Sequence, residues 1–432
     1  MKKCKLILFL CLLFVLSLTI VACGADAVTT ADTQQDTTPV ITTTANAAES
    51  TTAVTTSVTT APITTAAVTT EAPKQFASLK IGETPISEYT IVYARSKYAG
   101  YIKMPNMKAF FPIYDFDRES AERLSDIIFE LSGVRLKVAE DQSRVAGDNE
   151  ILIGKTNRIN AVNTSTLSLG SLATDDYLID VEDTKLVICG GAYGTTWHAL
   201  DYLESYLASL LEGDTADYAF ASDYTYQGAY HLVQIGCIGD SITQGSNASS
   251  SHLTYPEQLG RILWKDAIVT NYGSSGSTMR NDLAAYTQRD VYNQARAAAS
   301  KTDLFIVMLG TNDSFYDGSW TDADSKKFNE DCLGIFQALK AKNQNLQFVL
   351  ANCPRYFGTG GWASVTVRGL QRNLVPTLND AGYPTTFYDM FTATSQMSQY
   401  FPDQLHPDNE GSMIMAQKFA TFLQPLVESL QK

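Results

Sequence analysis

Four short segments of the chain carry the residue types that acyl transfer needs. They are 239–243 (GDSIT), 271–278 (NYGSSGST), 310–313 (GTND) and 403–407 (DQLHP). A serine hydroxyl becomes a good nucleophile when an adjacent base removes its proton, and histidine is the base best suited to neutral pH. A serine, a histidine and a carboxylate within reach of one another would therefore hydrolyse an ester.

The histidine of such a set can be chosen from the sequence. The chain contains four: His198, His231, His252 and His406. Only His406 has a carboxylate, Asp403, three residues before it in a predicted loop. Pro407 disfavours helical geometry at His406 and can begin the next helix. We therefore predict that Ser241 is the nucleophile, His406 the base and Asp403 the group that orients the imidazole. A turn-capping serine, a helix-capping aspartate and a surface histidine are the alternatives.

These residues need elements that bring distant loops together, and the pattern from residue 231 onward provides them. Short apolar strands alternate with amphipathic helices, which predicts a parallel sheet covered by helices on both faces. The predicted strands are 233–239, 267–272, 304–309, 347–353 and 385–388, and the predicted helices are 255–264, 290–299, 325–340, 366–380 and 409–430. Ligands of such sheets bind outside the carboxyl ends of the strands, and the first three segments follow strands.

The four segments, in this order, resemble the motif blocks of the SGNH hydrolase family, also called GDSL esterases and lipases. The resemblance implies a flavodoxin-like three-layer α/β domain over 231–432, an acyl-enzyme mechanism, and no metal or organic cofactor. It also implies an oxyanion hole formed by the backbone N–H groups of Ser241 and Gly276 and the side-chain amide of Asn312. A turn glycine and a turn-forming asparagine are the alternatives. Asp240 is expected to order the Ser241 loop, and Gln404 stands where the family most often has glycine.

A second α/β pattern occupies residues 75–230. Strands are predicted at 89–93, 134–139, 150–154, 177–181 and 185–189, and helices at 118–131 and 195–211. Segments 150–157 and 186–191 resemble the small non-catalytic domain that precedes the barrel in alpha-glucuronidases and some beta-hexosaminidases. We therefore expect a small accessory domain here, associated with carbohydrate chemistry. His198, on its last helix, is expected to be structural.

The first residues have the features of an export signal. A basic start and an apolar run at 6–20 predict a signal peptide over 1–22. The residues up to Cys23 resemble the lipobox of bacterial lipoproteins, which implies that Cys23 becomes lipidated; an ordinary secretory signal with an incidental cysteine is the alternative. Segment 23–74, rich in Thr, Ala and Val, is predicted to be a disordered tether. We expect a bacterial cell-surface protein, lipid-anchored to the outer face of the cytoplasmic membrane.

Charge and cysteine content exclude other classes. The formal charge is −14, and it becomes −17 without the three signal lysines, with 29 basic against 46 acidic residues. Nucleic acid is therefore not an expected partner, because phosphate binding needs clustered Lys and Arg. Cys189, Cys237 and Cys353 lie in apolar strand-like runs and are expected to be small buried core residues. Neither a CxxC motif nor a His/Cys cluster indicates a metal site.

The substrate class is predicted less directly than the reaction. The resembled family acts on acetylated sugars, lipids, aryl esters and thioesters. An extracellular location and the accessory domain favour sugar O-acetyl groups, and so do aromatic side chains that can face pyranose rings. Those aromatics are Phe315, Tyr316, Trp320, Tyr356, Phe357 and Trp362. The alternatives are a lysophospholipase or acyl-thioesterase, and a non-catalytic surface glycan-binding lipoprotein.

Overall fold

The computed structural model describes residues 74–95, 101–102, 111–112, 115–142, 145–158, 172–316 and 319–432. The predicted signal peptide (1–22), the predicted lipidation site Cys23 and all of the predicted tether except its last residue lie outside these ranges. No helix of the described ranges combines the length and the apolar character needed to cross a membrane.

The region before residue 230 contains eleven strands and two helices in its described part. The strands are β1 (Ser78–Ile81), β2 (Thr84–Pro85), β3 (Thr90–Tyr93), β4 (Tyr101–Ile102), β5 (Phe111–Pro112), β6 (Lys137–Glu140), β7 (Glu150–Ile153), β8 (Asp176–Glu182), β9 (Lys185–Gly190), β10 (Asp217–Phe220) and β11 (Thr225–Ala229), and the helices are α1 (Phe116–Ser132) and α2 (Tyr193–Glu212). Six strands form a sheet in the order β11-β8-β9-β7-β3-β6. Within it β3, β6, β7 and β9 are parallel, whereas β8 and β11 run antiparallel to their neighbours.

Helix α1 illustrates how the sequence sets these elements. It begins at the capping residue Asp115, whose carboxylate accepts a hydrogen bond from the Arg118 N–H, and it ends at Gly133, which adopts φ 71°. Its apolar stripe, which includes Leu124 and Ile128, is buried against the sheet. The stripe predicted from the spacing is therefore the face that forms this core.

The region from residue 233 forms the parallel sheet that the sequence predicts. The strands are β12 (Val233–Gly239), β13 (Ala267–Gly273), β14 (Leu304–Met308), β15 (Gln347–Ala351) and β16 (Thr385–Tyr388), and the helices are α3 (Ser241–Gln244), α4 (Tyr255–Ile262), α5 (Asp290–Ala298), α6 (Thr311–Ser314), α7 (Asp322–Lys340), α8 (Ser364–Asp380), α9 (Met390–Ala393) and α10 (Asn409–Leu430). The strand order is β13-β12-β14-β15-β16, and all neighbours are parallel.

Two apolar layers cover the faces of this sheet. Along β14 the side chains alternate: Leu304, Ile306 and Met308 pack on one side with α4 and α10, whereas Phe305 and Val307 pack on the other with α5, α7 and α8. A strand buried on both faces reads as a continuous apolar run because each face needs its own set of apolar side chains. The predicted three-layer α/β fold is confirmed.

The bounds of some elements differ from the predictions. The predicted helix 325–340 begins earlier because Thr321 and Asp324 form a reciprocal capping box at its N-terminus. The predicted strand 134–139 lies at Lys137–Glu140. Strands β1, β10 and β11 were not predicted, since their apolar residues alternate too briefly to stand out. Cys353 is half-buried rather than buried, while Cys189 and Cys237 are buried as expected.

The six-stranded sheet and the five-stranded sheet belong to one compact unit. Residues of the loop after α4 contact α2 of the first region. His198 of α2 stacks on Tyr230, donates a 2.6 Å hydrogen bond from Nδ1 to the Asp201 carboxylate, and has its Nε2 3.0 Å from the Lys265 carbonyl oxygen. Both ring nitrogens of His198 therefore have a partner in the packed region between the two sheets. The boundary at residue 230 between two domains stays a prediction.

Candidate active site

Ser241 lies at the first position of α3, directly after β12. Its neighbour Asp240 caps this short helix by accepting a hydrogen bond from the Ile242 N–H at 2.9 Å. Gly239 is required before it, because a Cβ there would lie 2.0 Å from Thr243 Oγ1. The tight turn from strand to helix therefore places the Ser241 hydroxyl at the carboxyl edge of the sheet. Asp240 orders this loop, as expected from the sequence.

Three predicted residues are joined by hydrogen bonds in series. His406 Nε2 lies 2.8 Å from Ser241 Oγ, and His406 Nδ1 lies 2.7 Å from Asp403 Oδ2. The second carboxylate oxygen of Asp403 accepts the backbone N–H of His406 at 2.7 Å and that of Leu405 at 3.0 Å. The imidazole is therefore held between a carboxylate and a hydroxyl across 165 residues of sequence. This is the geometry in which a histidine takes a proton from serine.

The loop that carries the histidine is fixed at both ends. Asp408 caps α10 by accepting the Gly411 N–H, and Asn247 donates a hydrogen bond to the His406 carbonyl. Gln404 adopts φ 70°, the left-handed region that favours glycine. The glutamine that replaces the family's usual glycine therefore keeps the backbone shape of the loop at a conformational cost.

The predicted oxyanion donors lie on the neighbouring loops. Gly276 adopts φ 72° and faces open space, because no heavy atom lies within 4 Å of a Cβ built there. The described residues provide no hydrogen-bond acceptor for the backbone N–H of Gly276 or Ser241. One amide hydrogen of Asn312 is donated to the Ser277 carbonyl at 2.9 Å, which leaves the other available. Three N–H donors are thus present at one edge; their catalytic role stays a prediction.

Asp313 was quoted in the sequence motif without a role, and the structure gives it one. Its carboxylate accepts the backbone N–H groups of Met279 at 2.8 Å and Arg280 at 3.0 Å. Burial raises the pKa of Asp313 to about 6, against the lowering effect of these two donors. Asp313 therefore ties the Gly276 loop to the Asn312 loop. An aspartate directly after the asparagine of the motif is the signal that could have revealed it.

A close backbone approach also fixes the Gly276 loop. A Cβ on Gly273 would lie 2.2 Å from the Gln244 backbone nitrogen, so only glycine lets the end of β13 pass the Ser241 helix. The Gln244 side chain then accepts the Ser275 N–H at 2.8 Å. These contacts went unpredicted because they depend on tertiary approach rather than on local pattern.

The six predicted rim aromatics divide into three pairs. Tyr316 and Trp362 are 47% and 74% exposed, and the Arg280 guanidinium lies over the Tyr316 ring, 5.5 Å from its centroid. Trp320 donates its indole N–H to Ser325, and Phe357 packs against Phe401, so both contribute to packing. Phe315 and Tyr356 meet edge to face beside a cavity of about 150 Å³ that Gly310 and Thr311 also line.

In the ranges that the structure describes, no three or more His, Cys, Asp and Glu side chains are grouped so that they could hold a metal ion.

The parallel sheet and the loops at its carboxyl edge lie within a region that matches a known family. Residues 237–414 match the GDSL-like Lipase/Acylhydrolase family. The C-terminal region therefore contains a GDSL-like lipase/acylhydrolase domain, and the resemblance predicted for this region is confirmed.

Individual relatives are similar over smaller parts. An acetylxylan esterase of Xylanibacter ruminicola is 36% identical over 83 residues, which are 19% of this chain and only 17% of that protein. A family two carbohydrate esterase from Clostridium thermocellum, solved with cellohexaose, is 18% identical with a TM-score of 0.36 and covers 48% of this chain and 69% of its own. A putative arylesterase from Agrobacterium tumefaciens is 22% identical with a TM-score of 0.36, covering 45% and 99%.

Asn312→Ala should lower kcat by about 10²–10³, because one donor to the oxyanion is lost. Hydrolysis of 4-nitrophenyl acetate measures it. Asn343→Ala is the control, since Asn343 donates a similar 2.9 Å hydrogen bond to the Thr302 carbonyl far from the active site. Equal loss of kcat in both variants would assign Asn312 a structural role only.

Gln404→Gly should stabilise the protein by about 1 kcal/mol. A non-glycine residue in the left-handed region costs roughly 1–3 kcal/mol in the folded state, and glycine removes this strain. Part of the gain is lost because glycine has more conformational entropy in the unfolded chain. Asp183, with φ 53° in the β8–β9 turn, is the control: Asp183→Gly should stabilise similarly. Thermal unfolding gives the change in Tm, and kcat should stay within about twofold of the wild type. A lower Tm for Gln404→Gly alone would show that its side chain holds the loop.

Acid should weaken the contribution of Asp403 to stability. Burial raises the pKa of Asp403, but hydrogen bonds from His406 and Leu405 outweigh it and bring the pKa to about 2, below the ordinary 3.8. Because the pKa is lower in the folded state, the stabilisation is present above pH 3.8 and is lost as the pH falls toward about 2.

The Tm difference between wild type and Asp403→Asn should therefore shrink across that window, as followed by circular dichroism. Asp380→Asn, at an exposed carboxylate near the end of α8, serves as the control. A Tm difference that is constant with pH would contradict the assignment.

Proposed function

We propose that this protein removes O-acetyl groups from carbohydrates through a Ser-His-Asp acyl-enzyme mechanism. The observation that carries the proposal is the series of hydrogen bonds from Asp403 through His406 to Ser241, with distances of 2.7 and 2.8 Å. Such a series activates a serine hydroxyl at neutral pH.

The chemistry proceeds in two halves. Ser241 Oγ attacks the ester carbonyl carbon while His406 Nε2 takes its proton, and the N–H groups of Ser241, Gly276 and Asn312 hold the negative oxygen. His406 then gives the proton to the leaving sugar hydroxyl, which leaves an acyl-serine. Water, deprotonated by His406, releases the acid. Asp403 stays ionised and stabilises the imidazolium.

Three observations support a sugar acetate as the substrate. The curated relative over 83 residues is described as an acetylxylan esterase. Tyr316 and Trp362 offer exposed aromatic faces beside polar groups. The cavity of about 150 Å³ that Gly310 and Thr311 line, next in sequence to Asn312, has room for a small group.

Ser241→Ala should abolish release of acetate from acetylated xylan, with kcat lower by on the order of 10⁴ or more, because the nucleophile is removed. Ser275→Ala, at an exposed serine of the next loop, is the matched control and should keep full activity. Acetate is measured enzymatically, and circular dichroism confirms folding. Unchanged acetate release by Ser241→Ala would remove this serine from the mechanism.

The same assay separates the alternatives. Wild-type protein that hydrolyses 4-nitrophenyl octanoate faster than the acetate would favour a lipid or thioester substrate. Absence of labelling by a fluorophosphonate probe, together with tight binding of glycan, would favour a non-catalytic surface lipoprotein.

We also propose that the protein is held at the bacterial cell surface by lipid on Cys23. The apolar run at 6–20 and the small residues before Cys23 support this. Cys23→Ser should move the protein from the membrane fraction to the medium or leave an uncut precursor, and should prevent labelling with radioactive palmitate. Cys11→Ser, within the apolar run, is the control and should remain membrane-bound. Palmitate incorporation by Cys23→Ser would refute the site.

A further inference from the structure

A second and larger cavity lies at the carboxyl edge of the six-stranded sheet. Its volume is about 760 Å³, within the range of small-molecule sites, which is roughly 300–1,000 Å³. Three strand ends line one wall: 94–95 after β3, 154–155 after β7 and 190–191 after β9. The opposite wall is formed by α4 and the first residues of β13. We name this cavity the inter-sheet cleft.

The cleft lies at the point in the sheet where the connections from two neighbouring strands lead to opposite sides. From β3 the chain passes through α1 to β6 on one side, whereas from β7 it continues to β8 and β9 on the other. In open α/β sheets, ligands bind in the crevice where neighbouring strands lead in opposite directions. The crevice between the ends of β3 and β7 is that point, and Arg95 and Lys155 lie at its two sides.

Asp117 is a polar residue that lines the cleft. Its side chain is only 6% exposed, and it makes no hydrogen bond or ion pair with any residue of the described ranges. Burial, together with the nearby charges of Asp115 and Asp141, raises the pKa of Asp117 to about 8. A buried polar group without a partner destabilises the fold, so its presence in a cavity indicates a ligand that completes it.

Glycines keep the wall next to Asp117 open. A Cβ on Gly154 would lie 2.5 Å from Asp117 Oδ1, and Gly154 adopts φ 71°. At Gly190 a Cβ would meet the Thr195 hydroxyl at 2.3 Å. Only glycine at position 154 therefore lets the end of β7 approach the Asp117 carboxyl group this closely.

Aromatic side chains form the other side of the cleft. Phe116 stacks on Trp264 with ring centroids 4.6 Å apart, and Tyr193 lies 5.2 Å from Phe116 and is 45% exposed. Lys155, at the rim, is exposed, and its positive charge acts on Asp117 and partly offsets the rise in the Asp117 pKa. A ligand with an apolar face and several hydroxyl groups matches this combination of rings, carboxyl group and cation.

We propose that the inter-sheet cleft is a saccharide-binding site, in which the Asp117 carboxyl group bonds sugar hydroxyls and Tyr193 stacks on a ring. A protonated carboxyl group both donates and accepts, as a hydroxyl partner requires. The site is separate from Ser241: the cleft contacts the beginning of β13 at Ala267, and the strand spans about 20 Å from there to Gly273, which leads to the Gly276 loop. This binding site does not depend on the proposed esterase activity.

Isothermal titration of the full-length protein tests the proposal, with Ser241→Ala as the background that prevents turnover. The probes are xylohexaose, mannohexaose and cellohexaose, all without acetyl groups. At least one should bind, and Asp117→Leu and Tyr193→Ala should each weaken its binding tenfold or more. Asp117→Asn, which still donates and accepts, should retain affinity within a few-fold. Asp126→Leu, at an exposed carboxylate of α1, is the control and should bind normally.

A second readout separates ligand binding from a structural role. Asp117→Leu removes a buried carboxyl group without a partner, so its Tm should equal or exceed that of the background protein. A lower Tm with unchanged titration would overturn the proposal and make Asp117 structural. Binding that is lost in Tyr316→Ala but kept in Asp117→Leu would place the sugar at the active site and also overturn it. Failure of all three probes to bind would refute the saccharide assignment.

Discussion

The hydrogen bond between Ser241 Oγ and His406 Nε2 is the contact on which the geometry of the active site depends. It joins the first and last loops of a five-stranded sheet, so its 2.8 Å length reflects the position of every strand and helix between them. Helix α10 delivers the histidine loop, and the stacking of Phe419 on Tyr255 holds that helix against α4. The packing of the core therefore determines the geometry of the candidate active site in this domain.

Buried carboxylates give the edge of the sheet its order. Asp240 caps the helix that begins at Ser241, and Asp313 accepts two backbone N–H groups of the neighbouring loop. Burial raises the pKa of each to about 6, partly offset by these hydrogen bonds. Each carboxylate accepts N–H groups that the turning backbone cannot satisfy itself, and three loops from separate strands become one surface as a result.

Much of this was predictable from the sequence, for identifiable reasons. Strands such as β14 are apolar throughout because both faces are buried, and the polar motifs follow them directly. The spacing of Asp403 and His406 was enough to pair them, because a loop of three residues lets the carboxylate reach the ring. Contacts that depend on tertiary approach were not predictable: the passage of Gly273 past Gln244, the bridge from Asp313, and the opposing wall that α4 gives to Asp117.

Strand β13 lies at the edge of its sheet and borders both sites, with Ala267 at the inter-sheet cleft and Gly273 leading to the Gly276 loop. A β-strand within a packed sheet hardly stretches, so it acts as a spacer of constant length. If both sites hold one polymer, the strand sets a minimum number of sugar units below which a chain engages one site at a time. A preference for long over short polymers would then follow from the fixed length of β13 and would require no conformational change.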